Sequence, residues 1–201
     1  MIDQLEWMRI LERIRGDAVV MPVFRANGAW SQVSNNPVRD VPIGTLDFPA
    51  VMGIGSSFAL GLSLARPETK IILFDGDGSL LMNLGSLVTV GNMAPQNLYH
   101  FVLDNGVYAT TSGQPVPNAQ NIKYDVIAQG SGYPSTYSFD NLEDFTNNIE
   151  EILSKPGPVF VAMKVTPEVE NTPISQRVRW QKKTRHETIA DLQKDLGSRK
   201  A

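Results

Sequence analysis

Short runs of almost continuously apolar residues recur along the chain, and they predict β-strands that are buried on both faces. Runs of this length are typical of a parallel sheet that is covered by helices on either side. The four strong runs are residues 18–24, 70–75, 98–104 and 158–165, and a weaker run at 134–139 predicts a fifth, short strand.

The segments between these runs predict helices. In residues 3–15 the apolar positions recur at roughly helical spacing until Gly16, and residues 53–65 are small and apolar until Pro67 closes them. The other helical segments lie at about 80–93, 122–130 and 141–154. Strands that alternate with helices predict an α/β fold with a doubly wound, mostly parallel sheet flanked by helices.

The chain changes character near Asn171, where a polar and basic segment begins. We therefore expect one domain over residues 1–170 and an extension over 171–201 that carries a helix near 184–195. The stretch 177–185 is rich in Arg and Lys and contains a Trp, a combination that also occurs in proteins that bind nucleic acid. Acidic residues follow it closely and the net charge of the chain is −3. We expect an arm that faces a partner protein, and no nucleic-acid ligand.

Composition narrows the class of protein further. With 201 residues, of which 42% are hydrophobic, the chain can form one domain with a substantial core. It has no cysteine, which excludes disulfides, thiolate metal sites and cysteine nucleophiles. No apolar run reaches the length of a membrane-spanning helix, and the first ten residues lack the basic-then-apolar order of a signal peptide. The expectation is a cytoplasmic protein that does not associate with membranes.

Unusual polar residues stand where two of the predicted strands end. The sequence DGDGS occupies residues 75–79, and DNGVY occupies residues 104–108. Ligands of open α/β sheets bind outside the carboxyl ends of the strands, and neighbouring strands would bring these two ends together. Asp77 then offers a carboxylate and Asn105 an amide oxygen to one point, and such oxygen ligands suit Mg²⁺.

The residues around Asp77 also suit a phosphate. Gly76 and Gly78 allow a close approach of the backbone or a positive φ, and a helix that opens at Ser79 would offer N–H groups to an anion. Asp-Gly and Asn-Gly are common turn formers, and either one alone is more often a turn than a site. Two of them at matching strand ends predict a cation site beside a phosphate-binding turn.

This pair of segments resembles the thiamine-diphosphate binding motif, which is Gly-Asp-Gly followed, after a spacer of somewhat under thirty residues, by a pair that is usually Asn-Asn. Here Asp104 replaces the first Asn, while the second, which holds the metal in the family, matches Asn105. The resemblance implies thiamine diphosphate as cofactor and Mg²⁺ held by Asp77, Asn105 and the backbone carbonyl of Val107. Tyr108 and Gln114 lie just beyond this loop, where they could face cofactor or substrate.

The segment AVMGIG at residues 50–55 resembles the part of the same family that precedes this motif. In the family a bulky apolar residue wedges under the cofactor and holds its two rings in a V shape. The resemblance places Met52 there, next to Gly53, and implies that the Ala50 carbonyl accepts a hydrogen bond from the cofactor's 4′-amino group. Taken without the downstream motif, this segment indicates that Met52 is a core residue at the start of a helix.

Residues 103–118 (LDNGVYATTSGQPVPN) are similar to the small β subunits of two-subunit decarboxylases of the sulfopyruvate and phosphonopyruvate type. The resemblance implies the diphosphate-binding subunit of a heteromeric decarboxylase or carboligase that acts on a small 2-oxoacid. In the family the Glu that activates the cofactor lies on a separate pyrimidine-binding domain. We therefore expect no catalytic residue in this chain, and an α-type partner subunit that supplies the Glu.

Several alternatives remain open at this point. The chain could be a non-catalytic or regulatory module that binds the cofactor, or, as a weaker option, a magnesium-dependent nucleotide binder, although it has no P-loop lysine motif. His100 and Asp75 are interpreted as structural residues of a strand and a turn. Arg25 or Lys123 could anchor an acidic substrate, but nothing in their spacing favours either.

Overall fold

The computed structural model describes residues 1–45, 50–169, 171–173, 176–178 and 183–197. Its centre is a five-stranded sheet in the order β1-β2-β3-β7-β6, and every neighbouring pair of strands in it is parallel. A separate two-stranded antiparallel hairpin joins β4 and β5. The strands are β1 (Val19–Pro22), β2 (Ile71–Gly76), β3 (Leu98–Asp104), β4 (Val107–Tyr108), β5 (Gln114–Pro115), β6 (Ser135–Phe139) and β7 (Val159–Lys164).

Helices pack on both faces of this sheet, which confirms the doubly wound α/β fold predicted from the sequence. The helices are α1 (Gln4–Ile14), α2 (Arg25–Trp30), α3 (Gly55–Ala65), α4 (Asp77–Leu81), α5 (Ser86–Met93), α6 (Tyr124–Gly130), α7 (Leu142–Ser154) and α8 (Arg185–Asp195), with a short 3-10 helix at Pro37–Arg39.

One face of the sheet has an aromatic core beneath α1, α2 and α7. The Trp7 ring lies 5.1 Å from the Phe74 ring, edge to face, and stacks on the Phe101 ring at 5.8 Å. The opposite face is covered by α3, α5 and α6 with smaller aliphatic residues. Because both faces are buried, the central strands read as continuous apolar runs, and this is why the sequence identified them.

One helical prediction needs correction, and one helix was not predicted. The single helix expected at about 80–93 is two helices, α4 and α5, because the chain turns at residues 82–85 and α5 begins only at Ser86. Helix α2 was not predicted, because its six residues are too few to show a helical period. It follows Phe24, whose φ of 48° sets the sharp turn out of β1.

The predicted C-terminal helix is present as α8. It begins with a capping box between Thr184 and Glu187, and it packs on the domain with Leu192 buried in the aliphatic core. An ion pair between Arg39 and Asp195 (2.6 Å) fastens its end. Residues 179–182 of the basic stretch, including Trp180, lie outside the described residues, so the partner-facing role of the extension stays a prediction. Within the described ranges, none of the helices has the length and apolar character needed to cross a membrane.

Candidate functional site

The two polar strand ends meet, as expected from the sequence. Strands β2 and β3 are parallel neighbours, with Gly76 opposite Leu103, so Asp77 and the loop after Asp104 lie at the same edge of the sheet. The Gly106 N–H donates to Asp77 Oδ2 (2.7 Å), and the Gly78 N–H donates to Asp77 Oδ1 (2.7 Å). The Asp77 carboxylate therefore joins the two segments directly.

The Asp77 side chain is 1% exposed. Burial raises its pKa to about 6, against the lowering effect of the Gly106 and Gly78 N–H groups, and the neighbouring Asp104 carboxylate also raises it. Asp104 Oδ2 accepts a hydrogen bond from Lys164 Nζ (2.9 Å), while Asp104 Oδ1 is buried without a partner among the described residues. Two buried carboxylates with one lysine beside them leave a net negative site, and a divalent cation would offset that charge.

Asn105 and Val107, the other predicted metal ligands, line the same pocket as Asp77. Asn105 Oδ1 accepts a hydrogen bond from the Val107 N–H (2.9 Å), which closes a tight turn. The described residues contain no cluster of three or more His, Cys, Asp or Glu side chains that could hold a metal. The donor set fits a cation that takes one carboxylate, neutral oxygens and a ligand's own phosphate oxygens, as Mg²⁺ does.

The two glycines beside Asp77 serve different purposes, and neither has the positive φ that was one of the options from the sequence. A Cβ on Gly78 would lie 2.6 Å from Cδ1 of the Tyr108 ring, so Gly78 is needed for close approach. A Cβ on Gly76 would meet no atom within 4 Å. The adjoining helix starts at Asp77 rather than at Ser79 and has only five residues.

Met52 lines the same pocket as Asp77. The next residue, Gly53, has a φ of 87°, and a Cβ there would lie 2.9 Å from the Asn83 Cβ, so this turn requires glycine. The Gly53 N–H donates to Ser79 Oγ (3.1 Å), which ties the Met52 turn to helix α4. Ala50 is half-buried against the aliphatic core and is not a lining residue.

The sequence did not identify the loop after β1 as part of this pocket. Phe24, Arg25 and Ala26 line it, and Arg25 Nη2 lies 3.7 Å from Glu168 Oε2. Arg25 is thus placed in the pocket, whereas Lys123 and Gln114 do not line it. The sequence could have placed Arg25 in the pocket from its position alone, because Arg25 follows the carboxyl end of β1, the parallel strand next to β2. The residues that share the pocket with those predicted are Gln4, Val23, Phe24, Arg25, Ala26, Asp75, Leu103, Ala109 and Thr110.

Comparison with known proteins identifies the family to which the chain is similar. Residues 47–163 match the family described as thiamine pyrophosphate enzyme, C-terminal TPP binding domain. The chain is 40% identical over 174 residues to the sulfopyruvate decarboxylase subunit beta of Methanothermobacter thermautotrophicus, covering 85% of this chain and 87% of that protein. It is 38% identical over 116 residues to the phosphonopyruvate decarboxylase of Streptomyces viridochromogenes, covering 58% of this chain.

The chain spans only 29% of the length of that phosphonopyruvate decarboxylase. Among solved structures, an enzyme from Mycobacterium smegmatis that is provisionally assigned as thiamin diphosphate-dependent superposes with a TM-score of 0.67 at 17% identity. The match covers 83% of this chain and 32% of that one, and it supports the fold alone. The family match and the sulfopyruvate decarboxylase relative show that this chain belongs to the thiamine pyrophosphate enzymes, as their C-terminal TPP binding domain.

Proposed function

We propose that this chain is the diphosphate-binding subunit of a heteromeric, thiamine-diphosphate-dependent decarboxylase that acts on a small 2-oxoacid. The observation that carries the proposal is the junction at Asp77, where one buried carboxylate joins the ends of β2 and β3 in a pocket that Met52 also lines. The names of the two relatives, both of them decarboxylases of substituted pyruvates, support this class of reaction.

In this proposal Asp77, Asn105 and the Val107 carbonyl hold Mg²⁺, and the metal holds the diphosphate. The charge at the site supports a metal ion between the protein and the diphosphate. Without a cation, the buried carboxylates of Asp77 and Asp104 would repel the diphosphate. Gly76 leaves open space above the strand end, and Arg25 adds a positive charge to the lining of the pocket. Hard oxygen ligands with phosphate completing the coordination are typical of Mg²⁺.

When bound, thiamine diphosphate would supply a carbanion that adds to the substrate carbonyl and a thiazolium ring that accepts the electron pair released with CO₂. The contribution of this chain would be to bind and orient. Met52 would support the cofactor between its rings, with the Ala50 carbonyl as the acceptor for its amino group and Tyr108 beside the metal loop. The hydrogen bond from the Gly53 N–H to Ser79 Oγ fixes the Met52 turn against helix α4, which begins at Asp77.

The partner in this proposal is an α-type subunit that binds the pyrimidine ring and supplies the activating Glu. No Glu lines the pocket within the described part of the chain. Large apolar side chains are exposed near the Met52 turn, with Val51 68% and Met82 58% exposed. A Cβ on Gly53 would lie 3.2 Å from the Met82 Cβ, so these exposed side chains border the same turn. Exposed apolar surface of this kind supports a protein partner.

Activity reconstitution tests the proposal. We expect no turnover from the chain alone and CO₂ release when a candidate pyrimidine-binding subunit, thiamine diphosphate and Mg²⁺ are added with pyruvate, sulfopyruvate or phosphonopyruvate. An aldehyde product indicates decarboxylation, and an acetolactate-type product indicates carboligation. Full turnover by the chain alone would contradict the split site. A reconstituted complex that binds the cofactor but turns over no 2-oxoacid would favour the non-catalytic module.

A further inference from the structure

A further buried carboxylate, Asp75, lies at the inner wall of the pocket and has no role in the proposed metal site. Its side chain is 1% exposed. Asp75 Oδ1 accepts a hydrogen bond from the Gly76 N–H (2.9 Å). The Ser79 side chain also lies against this carboxyl, where hydrogen bonding partly offsets the effect of burial on its pKa. Asp75 therefore contacts residues on either side of Asp77, namely Gly76 and Ser79.

Ser79 also contacts the Met52 turn. A serine hydroxyl has one hydrogen to donate and can accept at the same time. Its oxygen accepts the Gly53 N–H at 3.1 Å, and its hydrogen can turn toward the neighbouring Asp75 carboxyl. The path from Asp75 through Ser79 to the Gly53 N–H connects the end of β2 with the turn that places Met52 in the pocket.

Asp75 is fixed from its other side by the core. A Cβ on Gly55 would lie 3.2 Å from Asp75 Oδ2, so the first turn of α3 packs directly on the carboxyl. His100 Nε2 lies 4.0 Å from the same oxygen, and His100 Nδ1 is 3.2 Å from the Tyr133 hydroxyl. Both rings pack edge to face on Phe160, at 5.1 Å for His100 and 5.6 Å for Tyr133. Tyr133, His100, Asp75 and Ser79 thus form one buried row of polar side chains within a mostly apolar core.

We infer that Asp75 is a positioning residue, and that this polar row fixes the Met52 turn relative to the loop that holds Asp77. The inference deepens the proposed function and rests on it, because it assigns Met52 the role of supporting the cofactor. Polar groups behind a binding site commonly fix the groups that touch the ligand, and their loss weakens binding although they do not touch it. A row with a purely structural role would affect the stability of the fold but not Met52 in particular.

The first test measures amide hydrogen exchange at Gly53 by NMR, on the chain without cofactor. We expect exchange at Gly53 to be about threefold to tenfold faster in Asp75→Ala and in Ser79→Ala, because the protecting hydrogen bond weakens. Asp75→Asn should restore protection, since its amide keeps an oxygen for the Gly76 N–H and Ser79. Asp104→Asn, a buried carboxylate on the next strand, is the matched control and should leave Gly53 unchanged. Unchanged exchange in both Asp75→Ala and Ser79→Ala would overturn the inference.

The second test asks whether Asp75 acts through Met52. Affinity for thiamine diphosphate with Mg²⁺ is measured for the wild type, Asp75→Ala, Met52→Ala and the double variant, with inorganic diphosphate as the comparison ligand. We expect Asp75→Ala to weaken cofactor affinity by about tenfold with Met52 present and by less than about twofold in the Met52→Ala background. Additive effects, or an equal loss for inorganic diphosphate, would overturn the inference. A wild type that binds no cofactor either alone or with the candidate partner subunit would instead refute the proposed function, and the exchange result at Gly53 would still stand by itself.

Discussion

The two glycines that flank Asp77 offer a matched pair of substitutions. In Gly78→Ala the new Cβ would lie 2.6 and 2.7 Å from two carbons of the Tyr108 ring, and 3.3 Å from a methyl group of Val116. In Gly76→Ala the new Cβ would meet no atom within 4 Å, and the φ of −95° at this position is open to any residue. We expect Gly78→Ala to destabilise the fold and Gly76→Ala to leave its stability nearly unchanged.

The size of the effect follows from two opposing terms. Overpacking a well-packed site typically costs about 1–3 kcal/mol, and two ring carbons closer than 3 Å place this site at about 2–3 kcal/mol. Gly78 lies within the short helix α4, where alanine is favoured over glycine by up to about 1 kcal/mol. The net loss is about 1–2 kcal/mol, which corresponds to a fall in Tm of about 2–8 °C for a chain of this length.

Thermal and urea unfolding without cofactor measure this difference. Tyr108→Ala removes the obstructing ring, so adding Gly78→Ala to that variant should cost less than about 0.5 kcal/mol. The reasoning fails if Gly78→Ala is as stable as the wild type, or if its cost is unchanged in the Tyr108→Ala background. Gly76→Ala should still weaken cofactor binding, because its methyl group would enter the open space of the pocket.

Three further outcomes follow from burial. Burial holds the pKa of Asp77 at about 6, so protons compete with the metal, and calorimetry should show Mg²⁺-dependent binding weakening by up to about tenfold per pH unit below pH 6. Burial lowers the pKa of His100 to about 3, so the unfolded chain takes up the proton first. In urea unfolding, the wild type should therefore lose stability relative to His100→Leu as pH drops from about 6.5 toward 3, by up to about 1.4 kcal/mol per unit. Trp7 is fully buried among aromatic rings, and Trp7→Ala should lower the free energy of unfolding by about 3–5 kcal/mol, measured in urea.

The strands β1, β2, β3 and β7 were predictable because they are buried on both faces and therefore consist of apolar runs. The register of β2 against β3 was not visible in the sequence, but the order of a doubly wound sheet was enough to predict that Asp77 and Asn105 would approach. Helix α2 escaped prediction because six residues are too short for a period, and its start depends on the φ of 48° at Phe24.

The remaining parts of the site depend on contacts between distant segments. Gly78 is required by the ring of Tyr108, which lies thirty positions further along the chain in another element. His100 was interpreted as a structural residue, and it is fully buried. Its closeness to Asp75 comes from a diagonal placement across two strands, which only the register of the sheet determines. Local pattern carries no information on such pairs.

The central claim is that Asp77 holds thiamine diphosphate through Mg²⁺. Calorimetric titration with the cofactor, with and without Mg²⁺, tests it most directly on the wild type, Asp77→Asn and the matched control Asp104→Asn, each alone and with the candidate partner subunit. The account predicts binding that requires Mg²⁺, is lost in Asp77→Asn and persists in Asp104→Asn. Binding that is independent of the metal, or equal in the wild type and Asp77→Asn, would contradict it.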